Sequence, residues 1–135
     1  MQQDQLSENA SERSDQPPRV YGLDRAVVVE LHGEIDLVAY QQTVSLLDAV
    51  AAGPEPIVIV DLSQVAFFDC SGISLLMRAH RRVRTRGGQL RVVCAHPLTL
   101  RILRITNLTG VLSPAPTLGA AMLESCDGDD RYDKE

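Results

Sequence analysis

The 135-residue chain has no tryptophan, and its aromatic content stops at three tyrosines and two phenylalanines. Any core it builds must therefore be aliphatic, made of Val, Leu, Ile and Ala. Long apolar runs are lacking too. No stretch approaches the roughly 20 residues that span a bilayer, and the N-terminus is polar, without the apolar segment of a secretion signal. The expectation is a cytoplasmic chain that does not insert into membranes. Lysine is nearly missing: Lys134 stands alone among 13 basic residues, which points to a GC-rich genome and to nothing about mechanism. The three cysteines, Cys70, Cys94 and Cys126, are odd in number and lack C-x-x-C spacing, so neither a disulfide framework nor a zinc site is supported. Phosphate-binding loops of the G-x-x-x-x-G-K and G-x-G-x-x-G types are absent, as is any cluster with metal-ligand spacing. No cofactor is expected. Direct nucleic-acid binding is not expected either, because the net charge is −5 and no aromatics are interleaved with the basic residues.

What is present is one domain's worth of alternating elements. Residues 1–18 are rich in Gln, Ser, Asp and Glu and close on Pro17-Pro18, which reads as a disordered N-terminal tail. Residues 124–135, with Asp127, Asp129, Asp130, Asp133 and Glu135, read as an acidic disordered C-terminal tail. Residues 19–123 form the domain between them. Val20-Tyr21 and Ala26 to Leu31 predict two strands around a turn at Leu23-Asp24. Asp36 is a candidate N-cap for a helix with the apolar stripe Tyr40, Val44, Leu47 and Ala51, ended by Gly53-Pro54. Ile57 to Val60 is a β-branched run of the kind buried on both faces of a sheet. A helix after Ser71 packs through Leu75, Leu76, Ala79 and Val83 and stops at Gly87-Gly88. Leu90 to Cys94 predicts the next strand, and Leu98, Ile102 and Ile105 a third helix. Val111 to Ser113 predicts a short strand, and Thr117 caps a last helix. This order implies an α/β fold, a small mixed β-sheet with about four helices packed against it through right-handed crossovers.

Charge is divided along the chain. From Val20 to Asp69 the acids Asp24, Glu30, Glu34, Asp36, Asp48, Glu55, Asp61 and Asp69 face a single base, Arg25. From Cys70 to Leu123 there is no acid, but Arg78, Arg81, Arg82, Arg84, Arg86, Arg91, Arg101 and Arg104 are present. Two readings stay open: complementary halves packed side by side, or an arginine face from Arg78 to Arg86 that docks an acidic partner or, less favoured, nucleic acid.

The most informative stretch runs from Asp61 to Ile73, where a strand leads into a helix through Asp69-Cys70-Ser71-Gly72. At such a junction, backbone N–H groups and the helix dipole favour negative charge, so a phosphate on Ser71 would find donors while Asp69 repelled it. The plainer role for Ser71 is that of an N-cap, and Asp36 and Asp69 share that ambiguity. A hydrolase nucleophile is disfavoured, because the G-x-S-x-G elbow needs glycines where this chain has Asp69 and Ile73. His32, His80 and His96 have no spacing that predicts contact with Ser71. Catalysis by the chain itself is not expected. Cys70 at the helix start invites a redox reading, against the more usual role of a small packed residue.

Asp-x-Ser-Gly after a strand, with Gly33-Glu34-Ile35-Asp36 upstream, resembles the STAS domain of anti-sigma-factor antagonists. The resemblance runs from about Val20 to Leu123. It implies that Ser71 is the phosphoacceptor and that Asp36, Asp69, Cys70, Gly72 and Ser74 meet a partner. It departs from the family at Cys70, often Ser, and at Thr106-Asn107-Leu108 in place of Thr-Gly-Leu, where Asn107 can take the left-handed helix end. The implied partners are an anti-sigma factor with serine kinase activity and a serine phosphatase acting on phospho-Ser71. The implied function is a partner switch: the unphosphorylated form binds the anti-sigma factor and frees a sigma factor. The alternative is an unmodified STAS assembly subunit of a transporter or stress-sensing complex, with Ser71 a simple cap.

Overall fold

The computed structural model describes residues 17–122; Cys126 and the expected tails, apart from Pro17 and Pro18, lie outside the described residues. The strands are β1 (Arg19–Leu23), β2 (Ala26–Ile35), β3 (Ile57–Phe68), β4 (Gln89–Val93) and β5 (Pro114–Ala115). The helices are α1 (Leu37–Ala51), α2 (Cys70–Thr85), α3 (Pro97–Ile105), the single turn α4 (Thr109–Leu112) and α5, described over 118–122. The sheet order is β1-β2-β3-β4-β5, with β1 antiparallel to β2 and the other neighbours parallel. A mixed α/β fold is what the sequence pattern predicts.

Alternation along the strands sorts side chains onto two faces. Val27, Val29 and Leu31 of β2, Val58, Val60 and Leu62 of β3, and Leu90 and Val92 of β4 turn to the face covered by the first four helices. Leu47 and Ala51 of α1, Leu75, Leu76, Ala79 and Val83 of α2, Leu103 of α3 and Leu112 of α4 close this main core. Ala26, Val28, Ile59, Val93 and Ala115 turn to the opposite face, under Ala121 of α5. Val58, Ile59 and Val60 are all fully buried, which is why that run carries no polar alternation.

Three boundaries depart from expectation. Strands β2 and β3 continue well beyond Leu31 and Val60, because register shifts at Glu30/His32 and Gly33/Glu34 re-aim the pair without ending it. Gly33 takes φ 74° at the second shift, a conformation that glycine adopts at little cost. Val111 to Ser113 is not a strand. Val111 lies in α4, Ser113 turns left-handed at φ 49°, and pairing to β4 begins at Pro114. The extra turn α4 brings the helices among the described residues to five where about four were expected.

The helix ends follow the sequence closely. Asn107 is left-handed at φ 66°, with Leu108 N–H donating to Leu103 O at 2.8 Å and Asn107 N–H to Arg104 O at 3.0 Å. That is a Schellman end with Asn where glycine is usual. The same pair of bonds ends α2 at Gly87 and Gly88.

Helices α1 and α2 start from the same end of parallel strands and pack side by side. Asp48 of α1 joins them: it accepts from Arg78 Nε at 2.8 Å and Nη2 at 2.9 Å, and Arg82 Nε lies 3.0 Å away. The Arg78 guanidinium holds the Asp48 carboxyl below its usual range, with Arg82 adding to the effect. Part of the arginine run is therefore spent on complementary packing. Arg81, Arg84, Arg101 and Arg104 remain exposed. No described helix is long and apolar enough to cross a membrane.

Candidate functional site

Strands β2 and β3 deliver two aspartates to adjacent positions. Their last residues, Ile35 and Phe68, are register partners, and the next residue on each strand caps a helix. Asp36 (φ −112°, ψ −165°) and Asp69 (φ −118°, ψ −164°) share almost the same extended conformation. Asp36 Oδ1 accepts from Ala39 N at 3.0 Å, and Asp69 Oδ1 from Ser71 N at 2.8 Å. The Asp69 amide donates across to Ile35 O at 3.4 Å, tying the two junctions together. Gly33-Glu34-Ile35-Asp36 thereby acquires a physical meaning: a bulge, an exposed acid, a core anchor and a cap.

This geometry corrects the capping role considered for Ser71. The cap of α2 is Asp69, helix α2 begins at Cys70, and Ser71 is its second residue. Ser71 is half-buried, and its Oγ makes no hydrogen bond with another described residue. The amides expected to receive a phosphate are already engaged: Ser71 N by Asp69 Oδ1, and Gly72 N and Ile73 N by Asp69 O at 2.9 and 3.2 Å. A phosphate on Ser71 must displace the Asp69 carboxylate or turn toward solvent. The hydroxyl is thus an unengaged donor and acceptor next to the Asp69 carboxylate, at the positive end of a helix.

Of the other residues singled out, Cys70 is exposed at the first position of α2, which corrects the packed, buried role considered for it, and Ser74 is exposed one turn further on. Gly72 is buried, and a methyl group placed on it would lie 2.5 to 2.7 Å from three atoms of the Phe68 ring. Its contribution is to let the helix start close over that ring. Cys94 is buried on the sheet, away from Cys70 on the helix start, and burial pushes its thiol pKa up. The histidines serve elsewhere. His32 Nε2 sits 3.5 Å from Glu30, and His96 Nδ1 accepts from Leu98 N at 3.2 Å to cap α3. His80 is part-buried on α2, its pKa lowered by burial and by Arg84 and Arg81.

Sequence reasoning missed the apolar side chains at this end. Leu37 and Val38 follow Asp36 directly and are 60% and 58% exposed, and Phe67 is 52% exposed. The available signal was Val38, which falls outside the Tyr40-Val44-Leu47-Ala51 stripe; Leu37, seven residues before Val44, lies in line with the stripe and gave none.

Comparison with known proteins agrees with this architecture. The anti-sigma-F factor antagonist RsfA of Mycobacterium tuberculosis is 31% identical over 102 residues, covering 73% of this chain and 79% of its own. The crystal structure of an anti-sigma factor antagonist from Mycobacterium paratuberculosis superposes with a TM-score of 0.73 at 30% identity, over 79% of this chain and 91% of that one. The anti-sigma factor antagonist SpoIIAA in its unphosphorylated form shares the fold, with a TM-score of 0.68 at 21% identity over 83% of this chain and 97% of its own. The STAS domain profile matches residues 17–121, nearly the whole described region. This chain belongs to the STAS domain family.

Proposed function

We propose that this protein is an anti-sigma-factor antagonist switched by phosphorylation of Ser71. Unphosphorylated, it binds an anti-sigma factor that is also a serine kinase, and a sigma factor is released. The kinase transfers the γ-phosphoryl group of ATP to Ser71 Oγ: the Oγ–P bond forms, the bond to the β-phosphate breaks, and the hydroxyl proton leaves with ADP as the other product. A serine phosphatase hydrolyses the ester and restores the binding form. The chain is the substrate of both reactions and catalyses neither. The named relatives support the general role.

The observation that carries the switch is the placement of Ser71 Oγ, unengaged on the first turn of α2 next to the Asp69 cap, with the Asp36 cap on the adjacent strand end. A phosphoserine adds about 1.5 to 2 negative charges at pH 7. Placed beside Asp69 and Asp36, that charge would have to be desolvated in any interface fitted to a neutral hydroxyl. A penalty of about 3 kcal/mol weakens binding roughly 150-fold, enough to exchange partners.

The test is incubation with the cognate kinase and ATP, followed by peptide mass spectrometry and calorimetric affinity measurements. Ser71→Ala should accept no phosphate and keep its affinity, while Ser71→Asp should fold and bind weakly. Phosphate on Ser74 or Ser63 instead, or none on the wild type, would overturn the switch in favour of the unmodified assembly subunit.

A further inference from the structure

Helices α1 and α2 run in the same direction, and one ion-pair cluster fixes their relative height. Asp48 bonds both Arg78 and Arg82, so the level of Asp48 on α1 corresponds to 78–82 on α2. Leu37 precedes Asp48 by eleven residues, three helical turns, and so lies on the same side of α1, about 16 Å back along the axis. Ser71 precedes Arg82 by eleven residues and is displaced identically on α2. The row Leu37-Val44-Asp48 therefore faces the row Ser71-Arg78-Arg82 across the seam, and because Asp36 and Asp69 are matching caps, Leu37 stands level with Cys70 and Ser71, the first residues of α2. Leu37 is nonetheless 60% exposed and Val38 58%.

Around this apolar pair stand three acids, Glu34, Asp36 and Asp69, none of which forms an ion pair among the described residues. Exposed large apolar side chains beside unpaired charge mark a contact surface. The charge defines what fits: an apolar pocket with basic side chains at its border. A surface rich in carboxylates would be repelled, and a purely apolar one would bury these acids without partners.

We infer that Leu37 and Val38 are the apolar anchor by which the anti-sigma factor engages this chain, inserted into a pocket bordered by basic residues and seated against Ser71. The inference rests on the proposed role and extends it. The hydroxyl contributes little attraction of its own, while Leu37 supplies the contact. A phosphate at Ser71 places its charge against the apolar contact on Leu37, so modification works by spoiling the anchor's desolvation as well as by repelling Asp69.

The experiment titrates each purified anti-sigma factor of the source organism against full-length wild type, Ser71→Asp, the double variant Leu37→Gln/Val38→Gln, and Ile105→Gln. Ile105, at 71%, is more exposed than Leu37 but lies at the far end of α3. Glutamine keeps helix propensity, so melting temperature should be unchanged in the exposed double variant. Its affinity should fall by about tenfold or more, as for central anchors of protein interfaces, with Ile105→Gln unaffected. Double-variant affinity within about twofold of wild type, while Ser71→Asp binds weakly, would sink the anchor and leave the switch standing. Weak binding by the double variant with Ser71→Asp binding normally would keep the anchor and remove the switch. Absence of any binding by the wild type would overturn both. If the double variant melts earlier, Leu37→Ala alone must show the affinity loss at an unchanged melting temperature, or the anchor fails.

Discussion

Replacing Gly72 with alanine separates packing from helix propensity, because the two predict opposite signs. Gly72 sits in the first turn of α2 at an ordinary negative φ, so propensity alone would make alanine stabilising by about 0.5 to 1 kcal/mol. The structure opposes this. The new methyl would lie 2.5 Å from Phe68 Cε1 and 2.7 Å from Cδ1 and Cζ, distances that real contacts do not show. The ring has little room to retreat, since Phe68 is only 4% exposed and packs into the main core. Overpacking of this kind costs about 1 to 3 kcal/mol. Less the propensity gain, the net expectation is a loss of up to about 2.5 kcal/mol, a fall in melting temperature of up to roughly 10 °C for a domain of this size. Differential scanning calorimetry on the full chain measures it. Trimming the ring by Phe68→Leu should remove the conflict, so Gly72→Ala added to Phe68→Leu should be neutral or stabilising. A melting temperature for Gly72→Ala at or above wild type, or equal penalties in both backgrounds, would refute the reasoning.

Asp36 combines cap and charge, and two variants separate them. Asp36→Ala should lose about 1 kcal/mol of stability with the cap. Asp36→Ser should keep the melting temperature yet bind the anti-sigma factor as weakly as Asp36→Ala; recovery of full affinity by serine would reduce Asp36 to a cap. Asp48→Asn probes the clamp between helices. Because Arg78 lowers the Asp48 pKa in the folded state, the pair stabilises above the unfolded carboxylate pKa of about 3.9 and is lost as pH falls through the folded value. The melting-temperature gap between wild type and Asp48→Asn should therefore be full at neutral pH and shrink on acidification. A gap independent of pH would show that the interaction is not ionic.

The sequence displayed strand and helix order because its signals were local. Asp36, Gly53-Pro54, Gly87-Gly88 and Asn107 each stop or start a helix through their own backbone and side-chain chemistry, and each is found doing so. Strand length was harder to read. The extension of β2 and β3 depends on bulges that satisfy pairing across two segments, which no single window of residues reveals. The same limit applied to the site. Ser71 and Asp69 were visible as a junction, but which of them caps α2 depends on half a turn of helix, and serine and aspartate are both good caps. The closeness of Asp36 to Asp69 and of Gly72 to Phe68 follows from pairing and packing, so neither was legible locally.

Strand order in this sheet repeats chain order, β1 through β5 without an insertion. Each new strand is added at the outer edge of what precedes it, and no strand has to be threaded between two already paired. During synthesis the nascent chain can therefore lay the sheet down from one side to the other. Everything that shapes the two aspartate caps, from the bulge at Gly33 to the first turn of α2, lies before residue 75. β4 and the elements after it come later, and they brace α2 through the main core, where Leu90, Val92, Leu103 and Leu112 join Leu75, Leu76, Ala79 and Val83. The half of the protein that presents Ser71 is complete in the chain before the half that braces it has been made.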